Sequence, residues 1–160
     1  MMNNAGFADL VDVNGIAFDC LIASKHDLLA KLSDMAGAAL AMPGTLVLER
    51  VRQREALGAT GFGQGVAIPH ARIEGLTRVM VVVVRLPAPI AYGSFDGEPI
   101  DLAILLLSPE GAGADHLKAL ARISRTLRDP AVLAAMRDAV TEAELRVAIG
   151  PSQINGKRAA

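Results

Sequence analysis

The hydrophobic and polar positions of this chain change period twice. From Ser24 onward, apolar residues recur at helical spacing (Leu28, Leu29, Leu32, Met35, Ala36, Ala39). That spacing predicts an amphipathic helix, opened by Ser24 and Asp27 in capping-box spacing and ended by Pro43-Gly44. A second helix is expected over "TLVLERVRQREALG", with Leu46, Val47, Arg50, Arg54 and Leu57 around it and Gly58 as its C-terminal stop. The period then shortens. "VAIP", "LTRVMVVVVRL" and "IDLAILLLSP" are β-rich or continuously apolar, the pattern of strands buried on both faces. The Pro- and Gly-rich "PAPIAYGSFDGEP" between the last two predicts an irregular excursion or hairpin. "IAFDCLI", Ile16–Ile22, predicts a further short strand near the start.

Helical spacing returns in "ADHLKALARISRTLR", where Leu117, Leu120, Ala121, Ser124 and Leu127 make one face. Lys118, Arg122 and Arg125 are expected on a solvated face. Asp129-Pro130 reads as an N-cap and N1 pair, and Thr141 with Glu144 as another capping box. Helices before, between and after buried strands imply a sheet covered on both sides, a three-layer α/β/α domain of the α/β class. No repeat or linker divides the chain, so residues 1–160 are expected to form one domain with a core near 18–149 and a frayed tail at 151–160.

Composition narrows the function classes. Hydrophobic residues make up 52% and charged ones 21%, a globular balance. A net charge of −1 and an aromatic content of 3% argue against nucleic acid, which calls for basic patches and stacking platforms. The single cysteine, Cys20, excludes an intrachain disulfide and a Cys-rich zinc site, and reads as a small buried hydrophobe. No signal peptide is visible, and the apolar runs fall far short of a membrane span, so a cytoplasmic location is expected.

The stretch "GATGFGQGVAIPHAR" carries the candidate chemistry. Gly58 and Gly63 have Walker-loop spacing, but Gln64 and Gly65 stand where Lys and Ser/Thr belong. The dinucleotide fingerprint fails too, because this loop follows a helix and feeds a strand. Three scattered histidines without paired cysteines offer no metal site, and no G-x-S-x-G elbow exists. His70 remains. A lone histidine has a structural reading, as do a solvent-exposed Arg54 and a surface His116. Against that, Pro69 rigidifies the approach to His70, the glycines allow backbone N–H groups near an anion, and neutral imidazole is a competent nucleophile. Arg54, at the end of the helix before the loop, could steady a phosphate, and His116 sits in the first turn of its helix.

These residues resemble a known family. "REALGATGFGQGVAIPHARI" is similar to the active-site signature of the fructose/mannitol-type enzyme IIA domains of the bacterial phosphoenolpyruvate-dependent phosphotransferase system. The similarity continues through "APIAYGSFDGEPIDLAILLLSPEGAGADHLKALARISRTLRDP" and covers roughly Phe18 to Ile149. The nitrogen-regulatory branch is the nearest in pattern, in "PIAYGSFDGEPIDLAILLLSP" and in having no permease segment within the chain. The resemblance implies a mixed central sheet flanked by helices, with His70 as phosphohistidine, Arg54 as active-site arginine and His116 as the second histidine beside the phosphate. Thr60, Gly61, Gly63 and Gly65 would form a phosphate cradle. Ala59 departs from the usual Ser and removes one hydroxyl from that loop.

A relay is implied. A phosphorylated HPr-like carrier would offer its phosphohistidine to Nε2 of His70, without ATP, metal or organic cofactor. The expected role is a regulatory phosphocarrier acting on potassium-transport or sensor-kinase systems. The alternative is a sugar-specific component that passes phosphate through a IIB component to a membrane permease.

Overall fold

A computed structural model describes residues 6–18 and 21–150. The sequence expectations for Cys20 and for the 151–160 tail lie outside the described residues. Among those described, six strands form one sheet: β1 (Val11–Phe18), β2 (Gly61–Gly63), β3 (Val66–Ala67), β4 (His70–Ile73), β5 (Met80–Ile90) and β6 (Ile100–Pro109). The path runs β1-β5-β6-β3-β2, and β4 pairs with β6 beyond β3. Pairing is mixed: β1 runs parallel to β5 and both β3 and β4 parallel to β6, whereas β5–β6 and β2–β3 are antiparallel. The expected mixed α/β/α sandwich is the observed fold.

The two central strands show why. Met80, Val82 and Val84 of β5, with Ala103, Leu105 and Leu107 of β6, face one core; Val81, Val83, Leu102, Ile104 and Leu106 face the other. Every one of these residues is buried, so the strands read as unbroken apolar runs and need cover on both sides. Helices α1 (Lys25–Leu40) and α2 (Gly44–Glu55) supply the first cover through Leu28, Leu32, Ala36, Val47 and Val51. Helices α3 (Gly113–Leu127), α4 (Pro130–Asp138) and α5 (Glu142–Ile149) supply the second through Ile123, Leu127, Leu133, Met136 and Leu145.

The caps behave as their chemistry requires. Ser24 Oγ accepts from the Asp27 amide at 3.1 Å, Thr141 Oγ1 from that of Glu144 at 3.1 Å, and the Asp129 carboxylate from that of Ala131 at 2.9 Å. Pro43 precedes α2 as its N-cap, and α1 ends at Ala41 in the left-handed region (φ 57°).

Three expectations are corrected. The first strand lies at Val11–Phe18, and Leu21 and Ile22 are outside it. Its N-terminal half reads poorly as a strand because Val13 and Asn14 are exposed at a register shift. The buried face of α3 is His116, Ala119, Ile123, Thr126 and Leu127, rotated from the expected one so that Leu117 is left exposed. Arg122 is not simply solvated: Nε donates to the Gly6 carbonyl at 2.5 Å, and its guanidinium pairs with Asp9. No helix among the described residues is long and apolar enough to cross a membrane.

Candidate active site

β3 and β4 lie along the same edge of β6, interrupted by Ile68-Pro69. Proline has no N–H to contribute to a ladder, but its carbonyl still accepts from the Leu106 amide at 3.0 Å. The break therefore stays docked on β6, and His70 opens β4 directly opposite Leu106. Strand alternation turns Ala71 and Ile73 into the core under α1 and α2 and sends His70 and Arg72 the other way.

There His70 meets α3. Its ring lies with centroid 5.4 Å from that of His116, at an interplanar angle of 51°. A cleft of about 480 Å³ opens beside the pair, walled by Arg54, Arg50, Arg72, Leu57, Gly113 and Leu117, with the two histidines. Arg54 arrives from the last turn of α2, where its Nη1 donates to the Gly58 carbonyl at 2.9 Å. The structure thus brings Arg54, His70 and His116 together, from three elements separated in sequence.

Both imidazoles are held by one nitrogen. His70 Nδ1 lies 2.8 Å from the Ile68 carbonyl oxygen; a carbonyl only accepts, so Nδ1 carries the hydrogen. Nε2 is then the unprotonated nitrogen, with no hydrogen-bond partner among the described residues. His116 Nδ1 is hydrogen-bonded to the buried Ser108 hydroxyl at 2.7 Å. Burial is the main cause that lowers the pKa of His70 below 6.5; the Arg54 charge adds to it, and the Ile68 bond and Glu55 oppose it. His116 is lowered first by burial and then by His70, Arg72 and Arg54. Burial thus favours the neutral form of both rings. A neutral imidazole with a free Nε2, facing a cleft of guanidinium groups, can take a phosphoryl group and spread its charge.

The loop positions expected to cradle phosphate do not wall this cleft. Gly61, Gly63 and Gly65 belong to the β2–β3 hairpin, and none of them, nor Thr60, walls the cleft. A Cβ on Gly61 would stand 2.3 Å from Ser94 Oγ, and one on Gly65 2.6 Å from the Arg137 guanidinium. Gly63 and Gly65 have φ of 104° and 82°, in the region that favours glycine. This geometry fits a tight turn packed closely against the β5–β6 excursion and α4. Thr60 faces inward, with its amide donating to Glu55 Oε2 at 3.1 Å, its hydroxyl to the same carboxylate, and Tyr92 Oη 3.1 Å from that hydroxyl.

Several neighbours were not singled out in the sequence. Arg72 is two residues past His70, so strand alternation alone puts both on one side. Glu55 adjoins Arg54 in the quoted signature; its buried carboxylate pairs with Lys25 Nζ at 2.8 Å. Arg50, which lines the cleft, pairs with Glu110 at 3.0 Å. No local signal marks Ser108, which reads as one more strand residue.

The matches to known proteins decide the family. Residues 9–150 match the family model described as "Phosphoenolpyruvate-dependent sugar phosphotransferase system, EIIA 2". The chain belongs to this family. A nitrogen regulatory protein of Bradyrhizobium diazoefficiens is 46% identical over 134 residues, 82% of this chain and 88% of that protein. The nitrogen regulatory protein of Escherichia coli strain K12 is 37% identical over 123 residues, 76% of each. The crystal structure of the nitrogen regulatory protein IIA-Ntr from Neisseria meningitidis superposes with a TM-score of 0.84 at 27% identity, covering 89% of this chain and 98% of that one. Together these likenesses support an EIIA-family phosphocarrier with a regulatory role.

Proposed function

We propose that His70 is the phosphoacceptor of a regulatory phosphocarrier, charged by a phosphorylated HPr-like protein. The observation that carries this reading is the Nδ1 bond to Ile68, which leaves Nε2 as the one nucleophilic nitrogen of His70 beside the cleft. In the transfer, the P–N bond of the donor phosphohistidine breaks as a bond from phosphorus to Nε2 of His70 forms. The donor imidazole leaves with its electron pair. His70 keeps its Nδ1 hydrogen and becomes a phosphorylated imidazolium, whose positive charge the Ile68 carbonyl faces. Arg54 contributes charge to the three equatorial oxygens, and His116 offers Nε2 from the opposite wall; positioning and electrostatics supply most of the catalysis. No cofactor enters this scheme.

Leu57 and Leu117 stand at the cleft with 84% and 66% of their surface exposed. They are suited to meet the apolar face of an incoming carrier, which must bring its phosphohistidine to the cleft. Regulated proteins, such as potassium-transport or sensor-kinase systems, are the proposed recipients of the phosphorylation signal, and the cytoplasm the proposed location. A sugar-specific role with transfer to a IIB component is the second reading. The first is favoured because the two nitrogen regulatory relatives match over 88% and 76% of their own lengths.

The test is incubation with phosphoenolpyruvate, enzyme I and the HPr-like carrier, followed by intact-mass measurement. An acid-labile gain of one phosphate is expected, and none for His70→Ala. Undiminished labelling of His70→Ala would move the phosphoacceptor elsewhere, and efficient onward transfer to a sugar permease would favour the second reading.

A further inference from the structure

A buried carboxylate lies behind the His70 segment, away from the cleft. Glu55, the last residue of α2, keeps only 6% of its side chain exposed. Three donors converge on it: the Thr60 amide, the Thr60 hydroxyl and the Lys25 ammonium. Thr60 in turn accepts, through its carbonyl, a 2.9 Å bond from the Ile68 amide. The carbonyl of that same Ile68 accepts from His70 Nδ1. A continuous series of hydrogen bonds and single residues therefore links Glu55 to the imidazole of His70.

Only an acceptor suits this position. A carboxylate has no hydrogen of its own and offers about four lone-pair sites, enough for all three donors. An amide of the same shape would offer one oxygen and turn its NH2 toward either the Lys25 ammonium or the Thr60 amide, neither of which can accept. Tyr92, whose phenol is kept protonated mainly by burial, stands 3.1 Å from the Thr60 hydroxyl, and its ring carries Lys25 Nζ at 4.3 Å. The surroundings are thus closed, and the carboxylate has no solvent to replace a lost partner.

We propose that Glu55 is the positioning residue of the phosphoacceptor. Its carboxylate anchors Thr60, Thr60 anchors Ile68, and Ile68 holds the His70 ring in the Nδ1–H tautomer with Nε2 open to the cleft. The assignment rests on His70 as phosphoacceptor, and it gives the R-E pair two distinct tasks: Arg54 faces the phosphate, and Glu55 sets the nucleophile. This also explains why Thr60 is turned inward, where it serves the acceptor from behind.

The deciding measurement is the ¹⁵N spectrum of the His70 ring in the unphosphorylated protein at pH 7.5, alongside the labelling rate. The wild type shows the Nδ1–H tautomer alone. Glu55→Gln, folded, shows a mixture with the Nε2–H form and labels about tenfold more slowly, a loss within the range caused by misplacing a reacting group. A folded Glu55→Gln that keeps the single Nδ1–H tautomer overturns the proposal. If Glu55→Gln fails to fold, Thr60→Val decides on the same spectrum: mixed tautomers support the assignment and an unchanged ring overturns it. Because the spectrum needs no phosphate donor, a wild-type chain that took no label would refute the phosphocarrier reading while the spectrum still judged Glu55.

Discussion

The imidazoles of His70 and His116 stand with centroids 5.4 Å apart, each tethered through Nδ1, one to the Ile68 carbonyl and the other to the Ser108 hydroxyl. Tethering the same nitrogen on each ring makes the two Nε2 atoms the free ones. With both rings lining one cleft, His116 is placed to act on a phosphoryl group carried by His70. His116→Ala is expected to slow labelling of His70 by about 100-fold, the scale of losing one oriented stabilising group. Ser108→Ala, which leaves the His116 ring in place but unanchored, should cost less. Equal labelling rates for wild type and His116→Ala, followed by intact mass, would remove His116 from the mechanism.

Protonation should oppose both activity and stability on the acid side. The pKa values of His70 and His116 are lowered in the fold chiefly by burial, so the folded chain binds fewer protons than the unfolded one below pH 6.5. The stability tied to these rings is present above pH 6.5 and lost as the pH falls through their folded values. Labelling should be flat above pH 7 and fall on the same acid limb, because a protonated Nε2 cannot attack. Titration of the two ring Cε1–H signals by NMR checks the direction; a midpoint above 6.5 for His70 would contradict it.

Arg54 holds the Gly58 carbonyl with one guanidinium nitrogen while lining the cleft. Arg54→Ala is expected to cut the labelling rate by about 100-fold with the fold retained. Arg54→Lys should recover only part, since an ammonium lacks the planar fork that can serve a carbonyl and a phosphate together. Rapid-quench labelling with circular dichroism as the fold control separates these outcomes.

The exposed leucines at the cleft should matter for binding and not for folding. Leu57→Asp and Leu117→Asp are each expected to weaken the carrier complex by about tenfold, the size of one apolar interface contact. The melting temperature should stay near that of wild type, because neither side chain is buried. Isothermal titration with the unphosphorylated carrier measures the first effect and calorimetric unfolding the second.

Gly61 separates the two accounts of the glycine loop. Its added Cβ would fall 2.3 Å from Ser94 Oγ and 2.8 Å from Ser94 Cα, with backbone that cannot swing away. Gly61→Ala should therefore destabilise the fold by about 1–3 kcal/mol, the usual cost of overpacking. A phosphate cradle would instead predict a stable protein with slowed labelling. Chemical denaturation and labelling of the same variant tell them apart.

Much of this molecule follows from the chain alone. Unbroken apolar runs at Met80–Val84 and Leu102–Leu107 require a sheet covered on both faces, whichever helices provide the cover. Ser24, Asp129 and Thr141 set three helix starts because a side-chain oxygen two or three residues from an orphan amide is a local matter. The signature ending at His70 is equally local, and it named the family before any geometry. Tertiary structure decided the rest. The face that α3 buries depends on where β6 and α4 lie, so helical spacing alone put Leu117 on that face and left His116 off it. Glycines in sequence look alike whether they open space for an anion or for a neighbouring chain; only tertiary structure sets Ser94 against Gly61 and Arg137 against Gly65. Arg54, His70 and His116 meet because α2, β4 and α3 converge at one edge of the sheet, and a contact across that edge leaves no period in the sequence.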